Sequence, residues 1–483
     1  MNKKMILHTL SRLLLLEGLL MLLPAATSLI YREWVSALSF SACAAACAAV
    51  GATAAFLTRK TDTRMYAREG FIIVALAWVM ISAVGAVPFV VSGEITSYAD
   101  AFFETVSGFT TTGASILTDV ESMSRGCIIW RAFSHWIGGM GVLVLMLAVT
   151  PSGSDARSMH IMRAEMPGPK IDKIVPKAKD TAKLLYIIYI ILTLVEVVFL
   201  LFGGLDLFES LFYSFGTAGT GGFGMKSDSL GSYSTYVKWV ITVFMLIFGV
   251  NFNLFYLVTM RKFRQAAKSE ELRVYLSVVV LCSAAIAVNI YPAVRDVGRA
   301  VTDSAFQVAS IITTTGFSTV DFNLWPDFSK TVLFILMFVG GCAGSTAGGI
   351  KMSRIIILFK TVGREFKSLL HPRSVGSARF EGKALDKEVK SGVLTYFALY
   401  FIVFAALFVV LSLEKFSFET NLTALTACFN NVGPGLGDVG PMGSFAGYSA
   451  WAKYLLSAAM LLGRLEIYPL LLTIAPSTWT RKY

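Results

Sequence analysis

Long apolar runs, each separated from the next by a polar segment, follow one another along this chain. Clear examples cover residues 71–91, 184–202 and 393–413. Each has about twenty residues, enough for an α-helix to cross the roughly 30 Å hydrocarbon core of a bilayer. The run at 5–30 follows a basic start, as in a signal peptide, but it is too long and lacks a convincing cleavage site. We therefore predict an all-α membrane protein that retains its first helix.

One pattern of elements occurs four times after two leading hydrophobic helices, predicted at 5–30 and 33–57. Each unit has a long apolar helix, a shorter amphipathic stretch, a polar Gly/Thr-rich segment and a second long apolar helix. The units recur about every 95–115 residues, which distinguishes them from short solenoid repeats. The predicted divisions are 1–60 for the leading helix pair and 61–155, 156–264, 265–365 and 366–483 for four pore repeats, the third with a gating loop.

The Gly/Thr-rich segments align on one glycine in each unit, and three units carry a phenylalanine ten positions earlier. The aligned glycines are Gly113, Gly222, Gly316 and Gly433, and the phenylalanines are Phe103, Phe212 and Phe306. Because the amphipathic stretch is too short to cross the bilayer, each unit enters and leaves on the same side. The units are therefore predicted to be parallel, unlike the repeats of inverted-repeat carriers. Four equivalent segments around one axis form a ring, and a ring forms a pore.

The distribution of charge supports this topology, and we expect no nucleic-acid binding. The chain has a net charge of +11 but only 15% charged residues, against about 25% in soluble domains. Basic residues are concentrated at 59–68, 157–183, 261–273 and 354–390, whereas the alternate segments are acidic or balanced. That alternation follows the positive-inside rule and predicts that both termini lie in the cytoplasm. The six scattered cysteines have neither zinc-ligand spacing nor a disulfide framework.

The four Gly/Thr-rich segments have the composition expected of an ion filter. A short helix that stops inside the membrane directs its partially negative C-terminal end at the axis, and the strand after it can present carbonyl groups to a cation. Glycine permits the required dihedral angles, and the lack of an acidic ring disfavours a divalent-cation site. Four extracellular turns are the alternative, since turns are also rich in Gly and Thr. The predicted filter residues are Thr111, Thr112, Gly113, Thr220, Gly221, Gly222, Thr314, Thr315, Gly316, Asn431, Val432 and Gly433.

At these residues the chain resembles the superfamily of Trk, Ktr and HKT potassium transporters, and within it the bacterial Trk-type uptake subunit. The matching motifs are SGFTTTGA from Ser107, WIGGMGV from Trp136, GVNF from Gly249, TTTGF from Thr313, GGCAGSTAGGIK from Gly340, NVGPGLG from Asn431 and GRLE from Gly463. The resemblance covers nearly the whole chain, and the leading helix pair favours Trk-type over Ktr-type subunits, which lack it. Two departures make the ring only pseudo-fourfold, because the second segment has Thr-Gly-Gly and the fourth Asn-Val-Gly.

The resemblance implies four helix–pore-helix–helix units around one filter, potassium as the transported ion and no covalent cofactor. It also implies that glycine at the four aligned positions accompanies a preference for potassium. By the same resemblance, serine in the first unit accompanies permeation by sodium. The resemblance further implies a homodimer surrounded by lipid in the bacterial inner membrane, regulated by a cytoplasmic nucleotide-binding subunit of the RCK type. Potassium is then expected at Thr111, Thr112, Thr220, Gly221, Thr314, Thr315, Asn431 and Val432.

A cluster of small residues interrupts the apolar stretch 332–359. Residues 340–349 include five glycines, and each costs a helix roughly 1 kcal/mol relative to alanine. We predict a flexible gating loop across the pore below the filter, with close packing through small residues as the alternative. Arg464, in the apolar stretch 451–474, is predicted to be an electrostatic barrier in the cavity, with an ion pair to Glu466 as the alternative. The predicted gate residues are Gly340, Gly341, Gly344, Ser345, Thr346, Gly348, Gly349, Lys351 and Arg464.

No nucleophile, acid/base pair or metal-binding cluster emerges from the sequence, so we predict that the protein is not an enzyme. His135 and Glu196 lie within apolar stretches and are interpreted as hydrogen-bonding residues between helices. A proton- or sodium-coupled cation symporter of the same fold is the main alternative function. A polytopic membrane enzyme acting on lipid-linked substrates is a less favoured one.

Overall fold

The structure, a computed structural model, describes residues 2–59, 67–141, 144, 178–372 and 377–479. These residues form an almost entirely helical fold, which confirms the predicted all-α class. The apolar runs become helices because a helix satisfies all of its backbone polar groups within one segment, as a bilayer requires. Six described spans are long and apolar enough to cross a membrane, namely Lys3–Ile30, Trp34–Leu57, Arg68–Val91, Asp180–Phe202, Glu270–Val294 and Lys387–Leu411.

The described helices and strands follow the chain in a simple order. Through residue 259 the helices are α1 (Lys3–Leu20), α2 (Leu22–Ile30), α3 (Trp34–Leu57), α4 (Ala67–Gly85), α5 (Val87–Val91), α6 (Tyr98–Phe109), α7 (Arg125–Gly139), α8 (Ala178–Phe202), α9 (Leu207–Gly219), α10 (Thr235–Phe248) and α11 (Phe252–Thr259). The later helices are α12 (Phe263–Ala267), α13 (Glu270–Val294), α14 (Val297–Ile312), α15 (Asp327–Val339), α16 (Met352–Leu370), α17 (Lys387–Leu411), α18 (Phe418–Phe429), α19 (Ala450–Arg464), α20 (Tyr468–Ile474) and α21 (Pro476–Trp479). The strands β1 (Arg379–Phe380) and β2 (Lys383–Ala384) form one antiparallel hairpin, with Arg379 opposite Ala384.

Four short helices, one in each predicted repeat, lie in the core of the molecule. Helices α6, α9, α14 and α18 have 12, 13, 16 and 12 residues. At 1.5 Å per residue they are roughly 18–24 Å long, too short to cross the bilayer. All four begin at a polar N-cap residue, and in three of them its side chain accepts an amide hydrogen bond. Asp206, for example, accepts from the amide of Glu209 over 2.6 Å, which satisfies a free amide of the first turn. We call these four elements the short core helices.

The second long helix of each predicted repeat ends after 13–15 residues, too few to cross the bilayer, whereas the sequence pattern predicted an interruption in the third repeat alone. Helices α7, α10, α15 and α19 end after 15, 14, 13 and 15 residues. Helix α11 follows α10 at an angle of 92°, and the chain leaves α19 through Glu466 and Ile467, which have φ angles of 53° and 69°. Arg464 is therefore the last residue of a helix and not the middle of one. Apolar residues flank this break on both sides, so the hydrophobic pattern did not predict it.

Several spans present apolar side chains on the outside of the fold. The most apolar parts of Glu270–Val294 and Lys387–Leu411 are only 22% buried. Leu281 and Ile402 on these helices are 69% and 65% exposed. Exposed apolar surface of this extent suits contact with lipid or with another membrane subunit.

Candidate ion-binding site

Each short core helix ends in the same unusual backbone conformation. The residue two positions before the aligned glycine is left-handed in all four segments. These residues are Thr111, Thr220, Thr314 and Asn431, with φ angles of 56°, 55°, 54° and 57°. Left-handed backbone is rare for a β-branched residue and costs about 1–3 kcal/mol. Three threonines therefore hold a strained conformation at equivalent positions, and such strain is concentrated at functional sites.

The hydrogen bonds around these bends are also equivalent. The amide that follows each left-handed residue bonds to the carbonyl oxygen five residues earlier, as at a Schellman helix end. These bonds are Thr112 to Ser107 at 2.9 Å, and Gly221 to Gly216, Thr315 to Ser310 and Val432 to Ala427, each at 2.8 Å. The Gly/Thr-rich segments are thus four copies of one structure, despite their different side chains.

The four aligned glycines bring these segments side by side. A Cβ atom added to Gly113 would lie 2.7 Å from the amide nitrogen of Gly222. One added to Gly222 or Gly316 would overlap the carbonyl oxygen of Thr315 or Val432, respectively, and one on Gly433 would lie 2.7 Å from that of Thr112. Each segment therefore abuts the next, and the fourth returns to the first. The segments form a closed ring in which every aligned position requires glycine.

A cavity with a volume of about 190 Å³ opens on one side of the ring. All four aligned glycines line it, together with the backbone and side chains of the segments that follow them. Among the described residues, no group of three or more His, Cys, Asp or Glu side chains is placed to hold a metal ion. The segments 110–114, 219–223, 313–317 and 430–434 contain no Asp or Glu, so the oxygen atoms of the ring are neutral.

The hydroxyl groups of the ring are paired in two of the four segments. Thr110 pairs with Thr112, and Thr313 with Thr315, each with 2.7 Å between hydroxyl oxygens. In the fourth segment the Asn431 amide donates to the Thr112 hydroxyl over 2.9 Å. The asparagine of the fourth segment thus joins it to the first, so this departure from the repeat strengthens the ring.

The second segment departs from the repeat because a histidine occupies the space behind it. A side chain at Gly221 would collide with the His135 ring. His135 is buried, bonds through Nδ1 to the Gly108 carbonyl oxygen over 2.8 Å and lies 4.3 Å from the Phe223 ring centre. His135 therefore joins two helices, as its position in an apolar stretch suggested.

A buried ion pair braces the ring between its first and second segments. The Arg131 Nε lies 2.8 Å from a Glu104 carboxylate oxygen, and both side chains are almost wholly buried. Glu104 also accepts bonds from the Ser115 hydroxyl over 2.9 Å and from the Ile116 amide over 3.0 Å. The Arg131 guanidinium lies 4.1 Å from the Phe223 ring centre. The sequence analysis did not predict this pair. The signal in the sequence is the carboxylate of Glu104, within an amphipathic stretch whose neighbouring residues are mostly apolar.

The small residues between α15 and α16 form a loop, residues 340–351, that lies directly against the ring. The Gly348 amide donates to the Thr314 hydroxyl over 2.6 Å, and the Gly349 amide to the Asn430 carbonyl oxygen over 3.0 Å. On the second repeat, the Cys342 amide donates to the Gly249 carbonyl oxygen over 2.9 Å. The loop therefore contacts three repeats at once, at the level where the second helices break.

Arg464 connects this loop to the first repeat. Its guanidinium donates to the Thr346 carbonyl oxygen over 2.9 Å and to the Thr111 hydroxyl over 3.3 Å. It also donates to the carbonyl oxygens of Gly138 and Gly139, over 2.5 and 2.7 Å. These are the last carbonyl groups of α7, where a helix end carries partial negative charge.

The remaining charged residues near the loop have partners of their own. Glu466 forms a buried ion pair with Arg354 on α16, so the alternative that paired it with Arg464 is not what the fold adopts. Lys351 has a φ angle of 81°, and its ammonium group donates to the Ala347 carbonyl oxygen. The predicted gate residues thus belong to loop 340–351 and to Arg464, which contact each other and the ring.

The fold and this ring define a multi-pass membrane transport protein. The family model TrkH, described as a cation transport protein, matches residues 38–284 and 274–483, and the chain belongs to that family. This membership confirms both the resemblance noted in the sequence and the prediction of a transporter instead of an enzyme.

Curated relatives and a solved structure match over nearly the whole length. The Trk system potassium uptake protein TrkH of Escherichia coli K12 is 36% identical over 468 residues, 95% of each chain. TrkG of the same strain is 34% identical and covers 99% of this chain and 98% of its own. The crystal structure of the potassium transporter TrkH from Vibrio parahaemolyticus aligns with a TM-score of 0.90 and 32% identity, covering 99% of this chain and 100% of that one.

Proposed function

We propose that this protein takes up potassium across the bacterial inner membrane through the ring of four Gly/Thr-rich segments. The observation that carries the proposal is the fourfold equivalence of the bends at Thr111, Thr220, Thr314 and Asn431. Equivalent bends around a closed ring supply equivalent oxygen atoms around one axis, which is the requirement for replacing an ion's hydration shell. The names of the relatives, potassium uptake proteins, support potassium as the ion.

The chemistry of the ring favours a monovalent cation. Its carbonyl and hydroxyl oxygens attract a cation through dipoles, so an ion can enter and still leave. The ends of the four short core helices add partial negative charge at the same place. A ring of carboxylates would bind a divalent cation more strongly, and the aligned positions hold glycine.

We further propose that loop 340–351 and Arg464 form the gate. The support is their location: the loop contacts the second, third and fourth repeats, and Arg464 contacts the first. A guanidinium group held below the ring repels a cation that leaves it. Opening then requires movement of the loop away from Thr314 and of Arg464 away from Thr346.

The finer assignments of topology and partners belong to this proposal as well. The alternation of basic and acidic segments supports cytoplasmic termini, and the exposed apolar faces of the spans suit lipid and a second copy in a homodimer. The relatives are named as parts of a Trk system, which supports a further component, here a cytoplasmic nucleotide-binding subunit of the RCK type. Its proposed contact surface is the basic segments 157–183 and 354–390; residues 157–177 of the first lie outside the described part of the chain.

Coupled symport is the second candidate, and one observation favours it. The Glu17 carboxyl group on α1 is 3% exposed, with no hydrogen-bond partner among the described residues. A buried polar group without a hydrogen-bond partner is costly, so we assign the coupled proton of this second candidate to Glu17. Glu17→Gln should then abolish any dependence of uptake on the proton gradient.

One experiment tests both candidates. The purified protein is reconstituted in liposomes, and potassium flux is measured under voltage clamp while potassium, sodium and proton gradients are varied independently. A gated channel responds only to the potassium gradient and the voltage, whereas a symporter carries potassium against its gradient when the coupling ion flows inward. Flux of no cation under any gradient, from folded wild-type protein and from folded Arg464→Ala protein alike, would refute both.

A further inference from the structure

The β-hairpin between α16 and α17 lies against the middle of α16 and the start of α13. Its turn, Glu381 and Gly382, has φ angles of 48° and 75°. Two left-handed central residues define the tight two-residue turn that suits a hairpin. Lys360 of α16 holds the hairpin, because its ammonium group donates to the Arg379 carbonyl oxygen over 2.7 Å. Phe380 packs against the apolar cluster that contains Cys342 of the loop.

Glu381, at the tip of this hairpin, is bound to the start of α13. One carboxylate oxygen accepts a hydrogen bond from the Ser269 hydroxyl over 2.8 Å and from the Glu271 amide over 3.1 Å. In return, the Glu381 amide donates to the Glu270 carboxylate over 3.2 Å. A carboxylate at a helix N-terminus is stabilised there by the free amides of the first turn. The hairpin tip is exposed to solvent, so another protein can contact it.

Glu271 continues from this contact to the loop itself. Its side chain is 6% exposed, and one carboxylate oxygen accepts the Ala343 amide over 2.8 Å. Ala343 lies next to Cys342, whose amide is bound to the Gly249 carbonyl oxygen. Glu271 thus presents its backbone to the hairpin and its side chain to the loop. A displacement of the hairpin would move the acceptor that holds Ala343.

We propose that Glu381 and Glu271 are positioning residues that hold loop 340–351 closed, and that the hairpin 379–384 is the element through which a cytoplasmic partner releases it. This inference rests on the proposed gate and names the route of its regulation. Glu381 itself is exposed, so water or a partner's donor groups can compete for the carboxylate that binds Ser269. Glu271 is buried, so loss of its bond to the Ala343 amide is costly and acts directly on the loop.

The test uses a native cysteine as the readout of loop position. Cys342 is fully buried in this loop, and its rate of reaction with a small water-soluble thiosulfonate is measured by mass spectrometry in the full-length reconstituted protein. The first variant is Glu381→Asn, because Asn-Gly is the preferred pair for this turn while the shorter side chain cannot reach Ser269. The second is Glu271→Ala, which removes the acceptor for Ala343.

Both variants are expected to react severalfold faster at Cys342 and to raise potassium flux in the absence of a partner. Glu365→Asn is the matched control, since Glu365 is an exposed acidic residue on the same helix, α16, as Lys360, and it should change neither quantity. Combining Glu381→Asn with Glu271→Ala should add little to Glu271→Ala alone, because both act on one contact chain.

Three outcomes would overturn the inference. If both variants leave Cys342 reactivity and flux unchanged while Arg464→Ala raises flux, the hairpin is not the route but the proposed gate stands. If Cys342 becomes reactive without a rise in flux, the hairpin holds the loop but does not control conduction. If Arg464→Ala and shortening of loop 340–351 also leave flux unchanged, the gate fails and this inference fails with it.

Discussion

The backbone amide of Gly348 donates a hydrogen bond to the hydroxyl oxygen of Thr314 over 2.6 Å, and both residues are buried. This contact joins the loop to the ring at one of the four left-handed residues. A Cβ atom on Gly348 would lie 2.6 Å from the Asn430 carbonyl oxygen, so the loop reaches the ring only because this position is glycine. This hydrogen bond therefore couples the position of the loop directly to the ring residue Thr314.

Thr314→Val is expected to raise basal potassium flux. Valine preserves the shape of threonine but leaves the buried Gly348 amide without its acceptor, at a cost of about 1–3 kcal/mol. Since about 1.4 kcal/mol corresponds to a tenfold change, the population with a displaced loop should rise about tenfold. Liposome flux per folded protein measures the effect. Thr361→Val is the control, because the Thr361 hydroxyl bonds only within its own helix, to Ile357 over 2.8 Å, and should leave flux unchanged.

Gly113→Ser and Gly316→Ser should lower the discrimination of potassium over sodium. Both glycines have left-handed φ angles, 82° and 84°, and a Cβ at either would press on the neighbouring segment. The ring must widen or tilt to accept the new atom, which moves its oxygens away from the spacing that suits potassium. Relative uptake of rubidium and sodium in cells that lack other potassium transport measures the change.

The same substitution at an open position separates selectivity from a general effect of serine. Gly363→Ser and Gly392→Ser are matched controls, because a Cβ at Gly363 or Gly392 would meet nothing within 4 Å. Because Gly113 is left-handed and tightly packed, we also expect a lower melting temperature for Gly113→Ser than for either control. Unchanged selectivity in both Gly113→Ser and Gly316→Ser would refute the filter assignment.

Breaking the Glu104–Arg131 pair should be strongly destabilising. Removal of one partner leaves a buried charge uncompensated, which costs about 3–5 kcal/mol. Arg131→Met should therefore lower the melting temperature more than Glu104→Gln combined with Arg131→Met, which removes both charges. Lys330→Met provides the control, because its partner Asp327 is 96% exposed and surface pairs contribute about 0–1 kcal/mol. Equal melting temperatures for Arg131→Met and Lys330→Met would show that the pair does not brace the ring.

Charge reversal in the basic loop 157–183 should weaken binding of the regulatory subunit. Lys170, Lys173 and Lys177 concentrate positive charge there, outside the described residues, and exposed charges attract a partner in a salt-dependent way. Co-purification of the variant with the subunit should fall at physiological salt, whereas wild-type binding should fall only at high salt. If the charge reversals leave co-purification unchanged, this loop is not the binding surface, although the subunit can still bind elsewhere.

A feature of the site was predictable from the sequence when it depends on the residues of one short segment alone. The short core helices and the ring were predictable, because each Gly/Thr-rich segment carries its own signal at Gly113, Gly222, Gly316 and Gly433. The loop at 340–351 was predictable because its five glycines disfavour a stable helix, whereas its gating role stays a proposal. The repeat boundaries stay predictions.

Features that depend on contacts between distant segments were not predictable. The pairing of Glu466 with Arg354 joins residues 112 positions apart, and nothing in either local sequence indicates it. The break after Arg464 lies among apolar residues, so the hydrophobic pattern continues through it. The left-handed threonines also escaped notice, because Thr is not a residue that prefers this conformation and only the assembled ring enforces it.

Arg464→Ala is expected to raise basal potassium flux and to reduce its dependence on the regulatory subunit. A cation about 4 Å from a guanidinium group meets a repulsion of roughly 4 kcal/mol at an effective dielectric constant of about 20. Even a partial lowering of this barrier is measurable as an increase in flux, because about 1.4 kcal/mol changes a rate tenfold. The substitution also frees the Thr346 carbonyl oxygen, which loosens the loop. Arg299→Ala, at an arginine whose side chain is 68% exposed, is the control and should leave flux unchanged.

Shortening the loop by several residues within 340–349 should raise flux as well, and combining it with Arg464→Ala should give less than the product of the two effects. The reason is that Arg464 and Thr346 are bonded to each other and obstruct one point, so their contributions are not independent. A purely structural role for Arg464 predicts something different, namely a lower melting temperature with no gain in flux, since its bonds to Gly138 and Gly139 hold α7. Flux per folded protein and melting temperature, measured on the same purified variants, distinguish an electrostatic barrier at Arg464 from a purely structural role.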